Sequence, residues 1–467
     1  MERYTEILVE YLGSLSYKDL SPEVVDKVKY LLYDYLGHTV YSCGETPANI
    51  LCDVSRELGG VEEATVIGYG YRTNAVQAAL INGAMGHMTE LDDTHRGTMS
   101  HPGDSMMAVA LAVGEKCCSK GEEIITALVA GYETAIRAGE AVMPSHYFKG
   151  WHPSGTVNTF GSAVVAGKLL GLDNWKMRQA IGLAGALTSG NFAHIPERGM
   201  AKDFNTGRAA ASGLYAALLA KQGFTGASNF FENQRGGFCL LYADSSDPSR
   251  LTEGLGNGYK IMEVAHKPYT ACRHIHAAID ASLNIIKEKN VKYDDVAAMK
   301  LRIFATGAKF VDDKEPWLEE KGLYGSRFSA QFNTAVALLE GEEGIMKLFD
   351  KQYVRQMLDN PALHDMVQKT DVIYDKELDK EFPNKWATIV EIETVNGERL
   401  TDRVDYPKGE PEYPMNRQEL RNKFTKLTGM AGLSKEQQEK AEKLCFELET
   451  LPDIRSLVAQ MVIVVNG

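Results

Sequence analysis

The sequence predicts a mainly α fold: a large all-α helical domain built from both chain ends, with a smaller α+β domain inserted between them. Three observations predict it. From Ser21 to Gly223 one helical pattern of apolar residues follows another with few convincing strands. Near Glu263 the texture changes to alternating apolar and polar runs, and after the loop Pro407 to Pro414 helical text returns. With 467 residues the chain is too long for one ordinary core. The expected boundaries are residues 1–265 and 408–467 for the all-α domain and 266–407 for the α+β domain.

The amino-terminal MERYTEILVEYLGSLSY reads as an amphipathic helix and not as a signal peptide, since it lacks a basic start and a continuous apolar stretch. SPEVVDKVKYLLYDYLG follows with Ser21 as N-cap, Pro22 at the first helical position and Gly37 as the expected stop, leaving His38 just beyond. TNAVQAALINGAM is a small-residue helix, and DSMMAVALAVGEKC and GEEIITALVAGYETAIRAGEAV continue the pattern after Pro102. Between Gly150 and Gly223 helical text rich in Gly, Ala and Ser points to closely approaching backbones. MKLRIFATGAKFV (299–311) alternates as a strand does, and ATIVEIETVNGERLTDRVDY (387–406) reads as a hairpin turning at Asn396-Gly397. HIHAAIDASLNIIKEKN and FSAQFNTAVALLEG supply helices within the inserted domain. NRQELRNKFTKL and KEQQEKAEKLCFELETL return to the first domain. There is no internal repeat.

The net charge of −13 argues against nucleic acid or an anionic membrane surface as the main partner, though not against an anionic small molecule held in a local cationic site. No apolar run approaches the roughly 18 to 20 residues that a membrane span needs. Seven cysteines, an odd number without CxxC spacing, fit a reducing cytoplasmic compartment and no structural zinc.

The densest chemistry lies in NGAMGHMTELDDTHRGTMSHPG (82–103), which carries His87, His95, His101, Glu90, Asp92, Asp93, Thr94 and Thr98. So many titratable groups are costly to bury unless they are paired or catalytic. Asp92 and Asp93 are read equally well as structural groups, capping helices or pairing with Arg96, and as part of a site. Nine of the eleven histidines fall between His87 and His276, several with polar or Gly-Pro neighbours at turns that hold side chains at helix ends, as in TMSHPG, GWHPSG and CRHIHAAID. No HExxH, cysteine pair or EF-hand loop supports a metal, and no phosphate-binding glycine loop supports a nucleotide. GxSxG is absent, which counts against acyl transfer. Histidines, Lys202, the Glu/Asp/Thr cluster and the Arg273-His274 pair suit proton abstraction beside a carboxylate, with fixed cations holding the charge that develops.

Four ordered stretches, NGAMGHMTELDDTHRGTMSHPG, WHPSGTVNTFGSAVVAGKLLGL, GMAKDFNTGRAAASGLYAALLAKQGFTG and KPYTACRHIHAAIDA, resemble the MmgE/PrpD family, and the resemblance covers nearly the whole chain. That family includes 2-methylcitrate dehydratase, cis-aconitate decarboxylase and iminodisuccinate epimerase. The resemblance implies an all-α domain, an inserted α+β lid, a site in the cleft, a homodimer and no cofactor; the weak ligand spacing leads to the expectation of no metal. It implies Glu90, Thr94, His101, His152, Lys202 and His276 as catalytic, with Lys267 nearby at the lid's edge. Asp93, Lys267, Arg273 and Tyr324 are the expected substrate-binding residues. Tyr324 is the candidate for a family tyrosine from the lid, and Phe310 is the alternative occupant of that position. Three departures stand out: Glu90 where Asp is usual, one extra residue between Thr94 and His101, and Asn205 where many relatives carry His. Arg208 reads either as a carboxylate binder or as half of a structural ion pair.

The function expected is a cofactor-independent lyase, of dehydratase or decarboxylase type, acting on a small di- or tricarboxylic acid. An epimerase or isomerase of an amino-dicarboxylate such as iminodisuccinate is the alternative. A non-catalytic helical binding dimer is the third reading.

Overall fold

The structure, a computed structural model, describes residues 3–194, 199–318 and 321–463. The protein is mainly α, with two compact units: one runs to Val264 and resumes at Asn416, and the other is Ala265–Met415. The loop that follows residue 407 stays with the second unit because Gly409 N–H donates to Tyr413 O, His266 N–H donates to Gly409 O, and Arg273 holds Glu410. No helix among the described residues is long and apolar enough to cross a membrane.

The first unit is a helical assembly whose centre is formed by the helices Pro102–Cys117, Gly121–Glu140 and Pro153–Leu169. They carry buried residues on every face, so they are core elements and not surface helices with one apolar stripe. Their text is Ala, Gly, Ser and Thr as much as Leu and Val, which lets neighbours approach closely. A Cβ on Gly207 of the Ala201–Lys221 helix would lie 2.2 Å from Leu80 O of the Ala75–His87 helix, and a Cβ on Gly213 would lie 2.5 Å from Thr159 O. Only glycine permits these two crossings. The sole sheet described in this unit is the two-residue pair β1 (Ala64–Thr65) and β2 (Arg72–Thr73), antiparallel.

Gly37 does not stop its helix. The helix runs Pro22–Tyr41, straight through Gly37 and the buried His38, because Gly37 marks a contact: its missing side chain makes room for Phe424, whose Cδ2 would lie 3.0 Å from a Cβ there. The partner helix is Arg417–Ala431, from the carboxy-terminal segment, capped by Asn416 with Glu419.

The second unit contains a four-stranded sheet in the order β4 (Thr370–Tyr374), β3 (Val296–Ile303), β5 (Thr388–Thr394), β6 (Arg399–Val404). Strand β3 pairs parallel with β4, Leu301 opposite Val372, and antiparallel with β5, Leu301 opposite Val390. Strands β5 and β6 form the expected hairpin, with Gly397 at φ +81° in the turn. The alternating run 299–311 is only half strand: β3 ends at Ile303, and Ala305–Val311 is a helix. The helices Arg273–Lys289 and Ala330–Lys347 belong to the same unit.

Candidate active site

In the first unit, two histidines are placed by the same local device. His101 and His152 are the N-cap residues of the helices Pro102–Cys117 and Pro153–Leu169, and each is followed by proline at the first helical position. Proline excludes the residue before it from the helical region, so both histidines are extended, at φ −115°, ψ 85° and φ −89°, ψ 106°. Their backbones are then pinned. His101 N–H donates to Ser154 Oγ at 2.9 Å and His101 O accepts from Asn158 Nδ2 at 2.7 Å, while His152 N–H donates to Gly190 O at 3.1 Å.

A third histidine, His87, ends the Ala75–His87 helix and is fully buried. Its ring centroid lies 4.6 Å from that of His101 and 5.8 Å from that of His152. Asp92, also fully buried, lies between two of these rings: its Oδ2 is 2.7 Å from His87 Nδ1 and 2.7 Å from His101 Nδ1. A carboxylate accepts only, so each imidazole carries its proton on Nδ1. In His87 the other nitrogen, Nε2, faces the Lys202 ammonium at 2.7 Å and accepts from it. Burial and the Lys202 charge push the His87 pKa down to about 3, so this ring is neutral. In His101 the same tautomer puts the lone pair on Nε2, and its side chain, 15 % exposed, is the most solvent-facing of the three groups joined through Asp92. His101 Nδ1 also lies 3.1 Å from Asp93 O.

His152 has the opposite tautomer. Asn205 Nδ2, an amide nitrogen that can only donate, lies 3.1 Å from His152 Nδ1, which leaves the proton on Nε2. Burial and the neighbouring His87 hold the His152 pKa well below the usual histidine range. The cluster thus offers one ring with a lone pair on Nε2, His101, and one with a proton on Nε2, His152. That is the complement an acid-base reaction needs.

Lys202, at the second position of the Ala201–Lys221 helix, forms a buried ion pair with Glu90. Burial opposes its charge, but Glu90, Asp92 and Asp203 outweigh burial and raise its pKa. Glu90 adopts φ +55°, a left-handed conformation unusual for a side chain of its size. Thr94 is buried, and its hydroxyl has no hydrogen-bond partner among the described residues.

Asp93 takes up the capping role. Its Oδ1 accepts from Gly103 N–H in the first turn of the Pro102–Cys117 helix at 2.8 Å, and Tyr132 OH donates to Oδ2 at 2.7 Å. Burial lifts its carboxyl to about 7 in spite of those two bonds. Arg208 binds neither a carboxylate nor an ion-pair partner among its described contacts. Its guanidinium donates to the carbonyls of Leu187, Gly155 and Ser189, and burial pushes its pKa down to about 10.

Among the described residues, two clusters have donor sets a metal could use. In His87, Asp92 and His101 the donor atoms lie within 4.8 Å of one another, but both imidazole protons already point at Asp92 and the Lys202 ammonium opposes a second cation. In the other, His95, Glu140 and Glu263, the Lys260 ammonium lies 2.8 Å from Glu140 and 3.0 Å from Glu263 and supplies the cation.

Lys267, Arg273, His276 and Tyr324 lie in the second unit. His276 is fully buried. Arg273 donates to its Nδ1 at 2.9 Å, so Nε2 carries the proton and donates to Ala271 O at 3.0 Å. Arg273 also holds Glu410 Oε1 at 2.7 Å. Lys267 is fully buried, Tyr324 stacks on Phe328 at 4.7 Å, and Phe310 stacks on His274 at 6.0 Å. Sequence reasoning counted His87 in the dense cluster but gave it no catalytic role, and left Asp92 undecided. The i to i+5 spacing of His87 and Asp92 across a helix end is the one signal that could have joined them.

Residues 6–250 match the MmgE/PrpD N-terminal domain and residues 269–448 match the MmgE/PrpD C-terminal domain. The chain is 28 % identical over 484 residues to the cis-aconitate decarboxylase-like protein oryM of Aspergillus oryzae, covering 97 % of this chain and 96 % of that protein. It is 24 % identical to the cis-aconitate decarboxylase of Aspergillus terreus (97 % and 95 % covered) and 26 % identical to the human cis-aconitate decarboxylase (97 % and 93 %). With both domains matched in order and the first spanning more than half of its length, the chain belongs to the MmgE/PrpD family.

Proposed function

We propose that the protein is a cofactor-independent lyase of dehydratase or decarboxylase type acting on a small di- or tricarboxylic acid, and that His101 moves the proton. The observation that carries this reading is the Asp92 carboxylate fixed to His101 Nδ1, which commits that proton and makes Nε2 the basic atom. In a dehydration, His101 Nε2 takes the proton from the carbon next to a carboxylate, that C–H electron pair becomes the alkene, and the hydroxyl leaves as water with the proton from His152 Nε2. In a decarboxylation, the electrons of the breaking C–C bond stay on carbon as CO₂ leaves, and a protonated His101 returns a proton there. Lys202 supplies a buried cation for a substrate carboxylate, and Thr94 supplies a buried hydroxyl. Relatives named cis-aconitate decarboxylases support the lyase class.

One observation favours the epimerase as a second reading. Lys202 faces three carboxylates, Glu90, Asp92 and Asp203, so this cluster is not net cationic and suits a substrate that carries an amine beside its carboxylates. A purified-protein panel of citrate, methylcitrate, cis-aconitate and iminodisuccinate analogues decides between them by product. Turnover lost in His101→Gln and in His152→Gln, with folding intact by circular dichroism, is the expected result; full activity in both variants would remove the site assignment. Absence of turnover on the whole panel would favour the third reading, the non-catalytic binding dimer. The homodimer is part of the proposal, and a monomer by light scattering would remove it. Seven free thiols support the cytoplasmic placement.

A further inference from the structure

The loop that carries Glu90, Asp92 and His101 is held by a buried lysine that no chemical step uses. Lys423, on the returning Arg417–Ala431 helix, is 1 % exposed. Its Nζ lies 2.7 Å from Asp34 Oδ1 and donates at 2.7 Å to the carbonyl oxygen of Leu91. The next residue, Phe424, stacks on Tyr33 at 4.1 Å and fills the space left by Gly37, which fixes the helix where Lys423 can reach both partners.

A buried ion pair serving stability needs only its two charges. Here the ammonium also holds a backbone carbonyl, and that carbonyl belongs to the residue between Glu90 and Asp92. The peptide group is planar, so fixing the direction of the Leu91 C=O fixes the plane from which Asp92 departs. On the other side Glu90 adopts φ +55°, a conformation the surroundings must impose. We propose that Lys423 is a positioning residue. By gripping Leu91 O it sets the turn at which the Glu90 carboxylate meets Lys202 and the Asp92 carboxylate meets His87 Nδ1 and His101 Nδ1. The proposal rests on the reading of those residues as the active site, and it makes the carboxy-terminal segment part of that site's scaffold.

The test separates positioning from simple ion pairing. Removing both charges of a buried pair is often tolerated, whereas removing one leaves the other unpaired. The variant Asp34→Leu/Lys423→Met therefore keeps a thermal midpoint within about 5 °C of the unmodified protein, while Leu91 O loses its donor. Expected is a fall in kcat of about tenfold or more on the best panel substrate with KM changed by less than about threefold, since the change acts on the reacting groups and not on substrate affinity. Long-range ¹⁵N spectra of the imidazoles are expected to show His101 leaving the pure Nδ1–H tautomer. If this variant does not fold, Asp34→Ala/Lys423→Leu, which likewise leaves no donor for Leu91 O, carries the same readouts. Unmodified kcat in the folded double variant overturns the proposal. In a protein inert to the whole panel, a changed His101 tautomer supports the positioning role while the lyase reading fails, and an unchanged tautomer overturns it.

Discussion

At the scale of single residues, the proposed chemistry turns on one carboxylate. Asp92 faces two imidazoles at once, with Asp104 Oδ2 also 3.1 Å from His87 Nδ1 and Asp93 O 3.1 Å from His101 Nδ1. Both rings lean on the same oxygen, Oδ2, so Asp92→Asn can keep an amide oxygen there but removes the negative charge that holds both Nδ1 protons. The expected result is a loss of kcat on the order of 10²- to 10⁴-fold, with the fold retained by circular dichroism. Glu90→Gln acts differently, because it leaves the Lys202 ammonium buried without its carboxylate partner; a loss of about 3–5 kcal/mol in denaturant unfolding is expected. Of the residues expected as catalytic, the structure brings His101, His152, Lys202 and Glu90 into one cluster; the sequence marked their positions through His-Pro dipeptides at helix starts and the four stretches of the family pattern. It did not mark Asp92 and Lys423. An acid beside another acid reads as a cap, and the cap turned out to be its neighbour Asp93. Lys423 stands in an ordinary amphipathic helix, where nothing in spacing distinguishes a lysine that reaches a buried carbonyl from one that faces water.

At the scale of elements, the site depends on how closely helices cross. Gly207 brings the Ala201–Lys221 helix against Leu80 of the Ala75–His87 helix, which sets Lys202 over His87 and Glu90. Gly207→Ala puts a methyl group within 2.2 Å of a backbone oxygen that cannot yield as a side chain can. Denaturant titration is expected to show a loss of about 1–3 kcal/mol, and kcat falls with it because Lys202 moves. The glycine-rich text between Gly150 and Gly223 showed in advance that helices approach closely there, but not which pairs. Gly37 misled for the same reason: a glycine at a helix contact and a glycine at a helix end are written alike. Strand β4 gave no signal because it is short and mostly exposed, so burial imposes no alternation on it. The hairpin of β5 and β6 was plain, since Asn-Gly specifies its own turn.

At the scale of the whole molecule, buried titratable groups shape stability against pH. His87, held at about 3 against an ordinary 6.5, contributes stability above pH 6.5 that is lost as pH falls toward 3; His152, also held low, acts in the same direction. Asp93 has the opposite sign. Its carboxyl, held at about 7 against an ordinary 3.8, contributes stability that is full below 3.8 and lost as pH rises through 7. Between pH 7 and 5 Asp93 thus offsets much of what His87 loses. In Asp93→Asn that offset is gone, and stability over this window falls by about 2 kcal/mol more than in the unmodified protein, as read from urea midpoints at each pH. Parallel curves would place the Asp93 proton elsewhere. The central claim is that His101 moves a proton to or from carbon in a lyase reaction, and turnover in deuterated water tests it most directly. The expected result is an alkene or CO₂ as product, with any new C–H bond carrying solvent deuterium, and no turnover in His101→Gln. Deuterium entering recovered substrate or its epimer, with neither alkene nor CO₂ formed, would contradict it.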